Sequence, residues 1–465
     1  MRRSSLVAPL ILIGIGLLFL LRNLYPNLPV LDFLGQYWPF ILIAWGALRA
    51  VEILFWARQG KPLPANGIAG GEWVLVVFLC LIGSGLYAAR HSNWFPPGRI
   101  RIGGLEVFGE AFDYTLNAQK KAVGKVSRVT IESFRGNARV TGADTQDVTV
   151  TGRKTIRALQ QNEANKADQE SPLEIVVNGD QMIIRTNQDR VSTQASRVTE
   201  DLEITVPKNV TLEATGRYGD FDVTGLGGNV EIVSDNAGVR LENIGGNVRV
   251  DTRRSDIVRA VGVKGSAEIK GGGTDVELEN IEGPVTVTGS YGGTTQFRNL
   301  PKRVRFESRN TEFTAEGVPG VLRVSLTDLN ATNLVGPVRL QAKTKDVQIA
   351  DFTQGLDLAV DRGDIEIRPG KSGGPVKMEV RTRSGNIDLA LPDNAKVQLS
   401  ATADRGEITN DFNPSWEAKS EGPGASLRGS TAPDAPRVNL ATSRGSVTVR
   451  KAGSPEVASK ANPAL

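Results

Sequence analysis

Seven cations recur at one point of a repeating pattern: Arg253, Arg254, Arg309, Lys345, Arg362, Arg383 and Arg405 sit in the turn that follows an alternating apolar strand. If the register of the pattern holds, they line one edge of the protein, where guanidinium and ammonium groups meet anions by charge and hydrogen bonding. Acids stand beside them (Asp251, Glu307, Asp346, Asp361 and Asp404), so the edge reads either as a solvated surface of mixed charge or as a binding edge for a polyanion, such as an anionic glycan, or a partner. A second set, Asp220, Asp256, Asp275, Asp346 and Asp364, opens a strand after a turn, once per repeat. Asp favours such turns because its carboxylate bonds nearby backbone N–H groups. Spread one per repeat, these acids do not form the facing pair that glycoside hydrolysis uses, and no Gly-Gly-x-Gly-x-Asp tandem points to a calcium roll. Gly271-Gly272-Gly273 and Gly292-Gly293 lack the following Lys-Ser/Thr and helix of a phosphate loop and read as turns.

The whole chain holds one cysteine, Cys80, and one histidine, His91. That excludes a disulfide framework within the chain, Cys/His zinc sites, and Ser-His or Cys-His nucleophiles in its main part. The residue types predict no catalytic residue, no cofactor and no metal, and leave the cationic edge as the candidate site. At 465 residues, with 51 glycines and 6% aromatics, the chain is too long for one compact core and favours several domains or one turn-rich β array. Nine of the 55 cations and three of the 51 anions fall in residues 1–104, which leaves 46 cations against 48 anions in the rest. A main part without net positive charge lacks the footprint of a general nucleic-acid binder.

The elements that would position the edge begin at a membrane. Ser4–Leu21 is an uncharged run rich in Leu and Ile, preceded by Arg2 and Arg3 and followed by no small-x-small cleavage site, so it reads as an anchor rather than a cleaved signal. Further spans are expected over about 38–56, with Pro39 in the first turn, and 73–89, with aromatic ends. Arg2 and Arg3 precede the first span and Arg58 and Lys61 lie between the second and third, against Arg22 alone between the first and second. The positive-inside rule then puts everything after the third span outside the cytoplasm. The runs Gly14-Ile15-Gly16-Leu17-Leu18-Phe19-Leu20-Leu21 and Gln36-Tyr37-Trp38-Pro39-Phe40-Ile41-Leu42-Ile43-Ala44-Trp45-Gly46 resemble the two-helix membrane region of Lia-type bacterial envelope-stress proteins.

Beyond Pro96-Pro97-Gly98 the pattern changes to short alternating strands cut by Gly, Asn and Asp. An apolar anchor recurs at Leu226, Ile244, Val261, Ile281, Leu300, Val318, Leu334 and Phe352, with a mean spacing of 18 residues. Each anchor is followed by an alternating apolar pair, such as Val230/Ile232, Val248/Val250 or Leu322/Val324. Period-2 pairs make strands with one face inward, and a repeat that cannot bury that face alone must stack on its neighbours. The fold class expected is all-β, a parallel β-solenoid of about 18 residues per coil behind three transmembrane helices, with an antiparallel sandwich of hairpins as the alternative. Asn243, Asn280, Asn299 and Asn333 precede their anchors and suit an Asn stack at a corner, since Asn tolerates the left-handed conformation.

The boundaries expected are a transmembrane region over 1–92, a juxtamembrane linker over 93–124, a solenoid over 125–450 and a disordered tail over 451–465. Within the array, 158–170 has no apolar stripe and reads as an exposed insertion, and 413–436 reads as a loop. Leu202-Glu203-Ile204-Thr205-Val206-Pro207, Arg217-Tyr218-Gly219-Asp220-Phe221-Asp222-Val223, Ser384-Gly385-Asn386-Ile387-Asp388-Leu389 and Arg405-Gly406-Glu407-Ile408 resemble the bacterial "putative adhesin" β-strand-repeat domain, a domain of unknown function. The resemblance implies a surface interaction and lends no binding residue. The expectation is a membrane-anchored envelope protein, external and non-enzymatic, engaged in surface interaction or envelope-stress sensing. Its partners would be the lipid bilayer and an envelope polymer or membrane signalling protein, not nucleic acid. The alternatives are a membrane-anchored polysaccharide-active enzyme and a scaffold that assembles through its solenoid ends.

Overall fold

The computed structural model describes residues 110–453 except 159, 192–196, 369 and 371–375, together with strand backbone at 101–102 and 105–106 and single helical positions between Phe40 and Leu81. The chain divides into two compact units, Met1–Gly109 and Glu110–Leu465. In the first, Phe40, Ile43, Val51, Leu54, Phe55, Val77 and Leu81 are helical and expose their apolar side chains. Among the described residues no helix is long and apolar enough to cross a membrane. The span expected over 4–21 lies outside the described residues, and those over 38–56 and 73–89 are described only in part.

The second unit is all-β. Alternation of inward apolar and outward polar residues half-buries each strand. Val230, Val248, Ala267, Val285 and Val304 form one column across successive parallel strands, and Ile232, Val250, Ile269, Val287 and Phe306 form the next. A second parallel sheet carries its own columns, such as Leu241, Ala260, Leu278 and Phe297. Each coil gives one strand to each face, and the two sets of inward side chains merge in one apolar core. The anchors behave as expected except Val261, which is half-buried; its place in the column between Ile244 and Ile281 belongs to Val263.

The two corners are built differently. Where the first face passes to the second, Gly136, Gly219, Gly271, Gly289, Gly363, Gly385, Gly406 and Gly445 take φ between 117° and 152°. A Cβ on Gly385 would lie 2.0 Å from the Gly363 carbonyl oxygen, and one on Gly445 2.1 Å from that of Gly385. The turn acids expected to be structural lie just past this corner, directly after the glycine at Asp220 and Asp364. Asp346 Oδ1 accepts the Asp364 N–H (2.9 Å), Asp364 Oδ1 that of Asn386 (2.7 Å), and Asn386 Oδ1 that of Ser446 (2.9 Å). At the opposite corner Asn243, Asn280, Asn299 and Asn333 all take φ of 51–57°, and Asn299 donates to Asn280 Oδ1 at 2.6 Å.

Three features depart from a uniform parallel solenoid. Strands Thr311–Ala315 and Val318–Val324 run antiparallel to both of their neighbours, so the chain reverses for one coil between tight hairpins and then resumes its winding. Leu322 and Val324 therefore belong to a reversed strand. Alternation is blind to strand direction, which is why the period continues through the reversal. Secondly, sequence order and spatial order differ at both ends. Arg128–Arg135 lies between Gln181–Arg185 and Thr211–Tyr218, and Arg437–Thr442 between Met378–Ser384 and Gln398–Ala403. Thirdly, the ends are covered. The second half of the expected linker is the edge strand Glu110–Ala122, paired with Asp147–Ala158 and part of the compact unit Glu110–Leu465. The expected loop over 413–436 contains the hairpin Lys419–Glu421 and Gly424–Ser430, with Trp416 packed on Phe412 at a centroid distance of 5.6 Å. Lys451 ends the last strand, and the rest of the expected tail from 454 lies outside the described residues.

The insertion over 158–170 forms the helix Gln161–Glu170, which buries Ala164 and Ala167 against Ile156, Ala158 and Val198. Beneath it Lys154 and Glu200 face each other across paired strands, both fully enclosed. The Lys154 ammonium bonds Asp168 Oδ1 (3.0 Å) and the Ser171 carbonyl and stands 3.8 Å from Glu200 Oε1, while neither Glu200 oxygen has a hydrogen-bond partner among the described residues. Burial pushes the Glu200 carboxyl up from 4.5 to about 8, against the pull of Lys154.

Two outcomes follow. Gly385→Ala is expected to cost about 2 kcal/mol or more in urea unfolding, and Gly124→Ala, at φ 56° in open space, about 1 kcal/mol; equal costs would contradict the close stacking. Because the folded Glu200 holds its proton to about pH 8 and the unfolded one releases it near 4.5, stability should fall as pH rises between those values. Glu200→Gln should flatten that fall, as thermal unfolding across pH 5–8 would measure.

Candidate functional site

The turns carrying six of the seven cations lie at the glycine corner, between a strand of the first face and its successor on the second, whereas Arg309 sits in the hairpin that joins Val304–Glu307 to the reversed strand Thr311–Ala315 on the first face, at the same end of those strands. Close stacking forces glycine there and leaves the residues just before it to point outward. Arg253, Arg254, Arg309, Arg362, Arg383 and Arg405 are exposed. Lys345 is not: it is 3% exposed and occupies the place that glycine holds in the next coil. Its ammonium caps the hairpin after the reversed strand by donating to the carbonyls of Ser325 and, at 3.3 Å, Leu326. Burial lowers the Lys345 pKa, opposed by Asp328. It is a structural group rather than a surface cation.

Three arginines at this corner were missed: Arg135, Arg217 and Arg444. Their signal is the short run of Arg, at most one further residue, Gly, and a polar residue, as in Arg135-Gly136-Asn137 and Arg444-Gly445-Ser446. Arg444 reaches the edge only through the displaced last coil. The Gly385 N–H donates to the Arg444 carbonyl (2.9 Å) and the Gly445 N–H to that of Arg405 (3.1 Å), which sets Arg444 between Ser384 and Arg405.

The edge is electrostatically divided. In its N-terminal half Arg135 and Arg217 share Asp189 (3.3 and 3.9 Å) and Arg253 stands 4.0 Å from Asp235, while Arg254 alone there has no carboxylate within ion-pair distance among the described residues. Arg217, Asp235 and Arg253 flank a shallow depression of about 420 Å³ with Val233 and Asp251 on its walls. In the C-terminal half Arg383 meets Asp361 at 3.4 Å, whereas Arg309, Arg362, Arg405 and Arg444 have no carboxylate within ion-pair distance among the described residues. Exposed pairs of this kind are worth at most about 1 kcal/mol, so the unpaired half differs by its field more than by its stability.

The profile of the toastrack DUF4097 domain matches residues 126–450. The chain belongs to that family. Residues 6–48 match a LiaI-LiaF-like transmembrane region. No curated protein sequence matches the chain. Solved structures similar over 74% of this chain include a "putative cell adhesion protein" from Clostridium sporogenes, at 7% identity and TM-score 0.17 over all of that chain. A "putative adhesin" from Bacteroides fragilis is similar at 9% identity and TM-score 0.23 over 97% of its chain. A "putative lipid binding protein" from Parabacteroides distasonis matches at 11% identity and TM-score 0.19 over 99%. At these scores no residue of the toastrack domain takes a role from them.

The corner separates two kinds of cation. Lys345→Met should cost the toastrack domain about 1–3 kcal/mol, because two hairpin carbonyls lose their donor. Arg362→Gln, at an exposed position, should change stability by about 0.5 kcal/mol or less. Urea unfolding of the two variants checks both, and equal effects would return Lys345 to the surface set.

Proposed function

We propose that this protein is a three-span membrane protein of the bacterial envelope that holds its toastrack domain outside the cytoplasm, where the glycine corner engages an anionic envelope polymer without chemical turnover. The N-terminal LiaI-LiaF-like region supports membrane anchoring, and the cation distribution around the spans supports the outward orientation. The observation that carries the binding reading is the row of exposed arginines left without carboxylate partners at one corner. The turn acids Asp346 and Asp364 favour the non-enzymatic reading, since each already accepts a backbone N–H from the next coil.

A reporter fused after Leu465 should be active only outside the cytoplasm, and cytoplasmic activity would mean that the spans number other than three. The detergent-solubilised full chain should be retained on an immobilised anionic polymer and released as salt rises, because exposed charges are screened beyond roughly 8 Å at physiological ionic strength. Replacing Arg309, Arg362, Arg383 and Arg405 by Gln should abolish retention with the fold intact. Retention by the folded quadruple variant would leave the corner as a solvated surface.

A further inference from the structure

The displaced last coil does more than close the array. Register places Arg362, Ser384, Arg444 and Arg405 in one column on consecutive coils, each beside a glycine of the corner, with Arg383 in the adjacent column. Neighbouring coils are about 4.8 Å apart, so Arg444 and Arg405 are stacked like charges one coil apart and Arg362 lies about 10 Å further along. None of these three has a carboxylate within ion-pair distance among the described residues. The charged neighbours include Asp361, held by Arg383 at 3.4 Å, the exposed Asp404 in the outward column, and, beyond the turn, Asp364, whose Oδ1 accepts the Asn386 N–H, and Glu407.

The geometry points to a binding site at Arg362, Arg383, Arg405 and Arg444 for a linear phosphate-bearing polymer, gripped where the last coil inserts. This deepens the proposed reading of the corner and rests on it. Two guanidinium forks one coil apart can straddle a single tetrahedral phosphate, donating to separate non-bridging oxygens, and so turn their mutual repulsion into shared attraction. Arg362, two coils away, meets a later anion of the same chain. A narrow polymer can follow the column of Arg362, Arg444 and Arg405, whereas a flat anionic bilayer would also lie over Asp361 and Asp404 in the neighbouring column of Arg383. No aromatic side chain stands in the column for nucleobases to stack on, which sets a plain polyanion ahead of a single-stranded nucleic acid.

The test uses the full chain in detergent and fluorescently labelled linear polyphosphate, read by anisotropy across a salt series. The Arg405→Gln, Arg444→Gln double variant should bind at least about 10-fold more weakly, with a log–log salt slope shallower by about 1.4. The charge-matched Lys302→Gln, Arg303→Gln variant at the opposite corner should change little. Arg444→Lys, which keeps the charge and loses the fork, should fall between. Equal losses at the two corners would overturn the site in favour of net charge alone. Equally tight binding of polygalacturonate would overturn the phosphate class while leaving the anion-binding corner in place, and displacement by phosphatidylglycerol vesicles at matched charge would overturn the polymer in favour of a lipid headgroup. If the wild-type chain binds no polyanion, the broader reading of the corner fails with it. Matching thermal unfolding of all variants excludes loss of fold as the cause.

Discussion

Backbone hydrogen bonding between successive coils, in a register that keeps each inward apolar column in line and takes up its one-residue shifts in bulges, as between Thr252 and Ser255, is the constraint on which this domain depends. A one-residue slip would turn every apolar column outward, since side chains alternate with period two. The register is fixed from both corners. Glycines at positive φ let one coil lie against the carbonyl of the next at distances no Cβ would tolerate, and the Asp and Asn that follow reach across to the next backbone N–H. At the other corner left-handed Asn residues repeat the device with softer chemistry, because an amide can both donate and accept along the stack.

A stacked array has two ends, and each end would present unpaired strand edges. Here the chain overshoots and returns at both ends, so the first and last coils in sequence are enclosed between later and earlier ones. The outermost positions are left to edge strands and a hairpin with Trp416 over the core. The N-terminal end also carries the helix Gln161–Glu170 over the enclosed Lys154 and Glu200, where two charge-bearing groups lie out of water with incomplete hydrogen bonding. Such an arrangement disfavours the charged form of Glu200, so that burial holds its carboxyl well above the usual carboxylate range.

The candidate site follows from what the stacking leaves over. Glycine is required at the corner, so the residue before it has no inward place and becomes the natural position for an exposed arginine. Among the described residues, Arg135, Arg217 and Arg253 of the N-terminal half meet Asp189 and Asp235 and Arg254 meets no carboxylate; in the C-terminal half only Arg383 is paired. The difference comes from neighbouring coils rather than from neighbouring residues, and it makes one stretch of a repetitive edge distinct.

The coil length, the inward columns, the structural use of the turn acids and the left-handed Asn corner were legible from the sequence alone, because each is a local rule repeated in every coil. So was the family, through its strand ends and Gly-Asp turns, and so was the membrane-type N-terminal region. The tertiary structure alone decided what depends on strand direction and coil order. Alternation reads the same in both directions, so the reversed coil at Thr311–Val324 left no mark on the period. Hydrophobic pattern does not record which coil lies beside which, so the partnership of Arg444 with Arg405 could not be read across the chain between them. Lys345 looks like its arginine neighbours in sequence; only the glycine-sized place it fills and the hairpin carbonyls it reaches turn it from a surface cation into part of the fold.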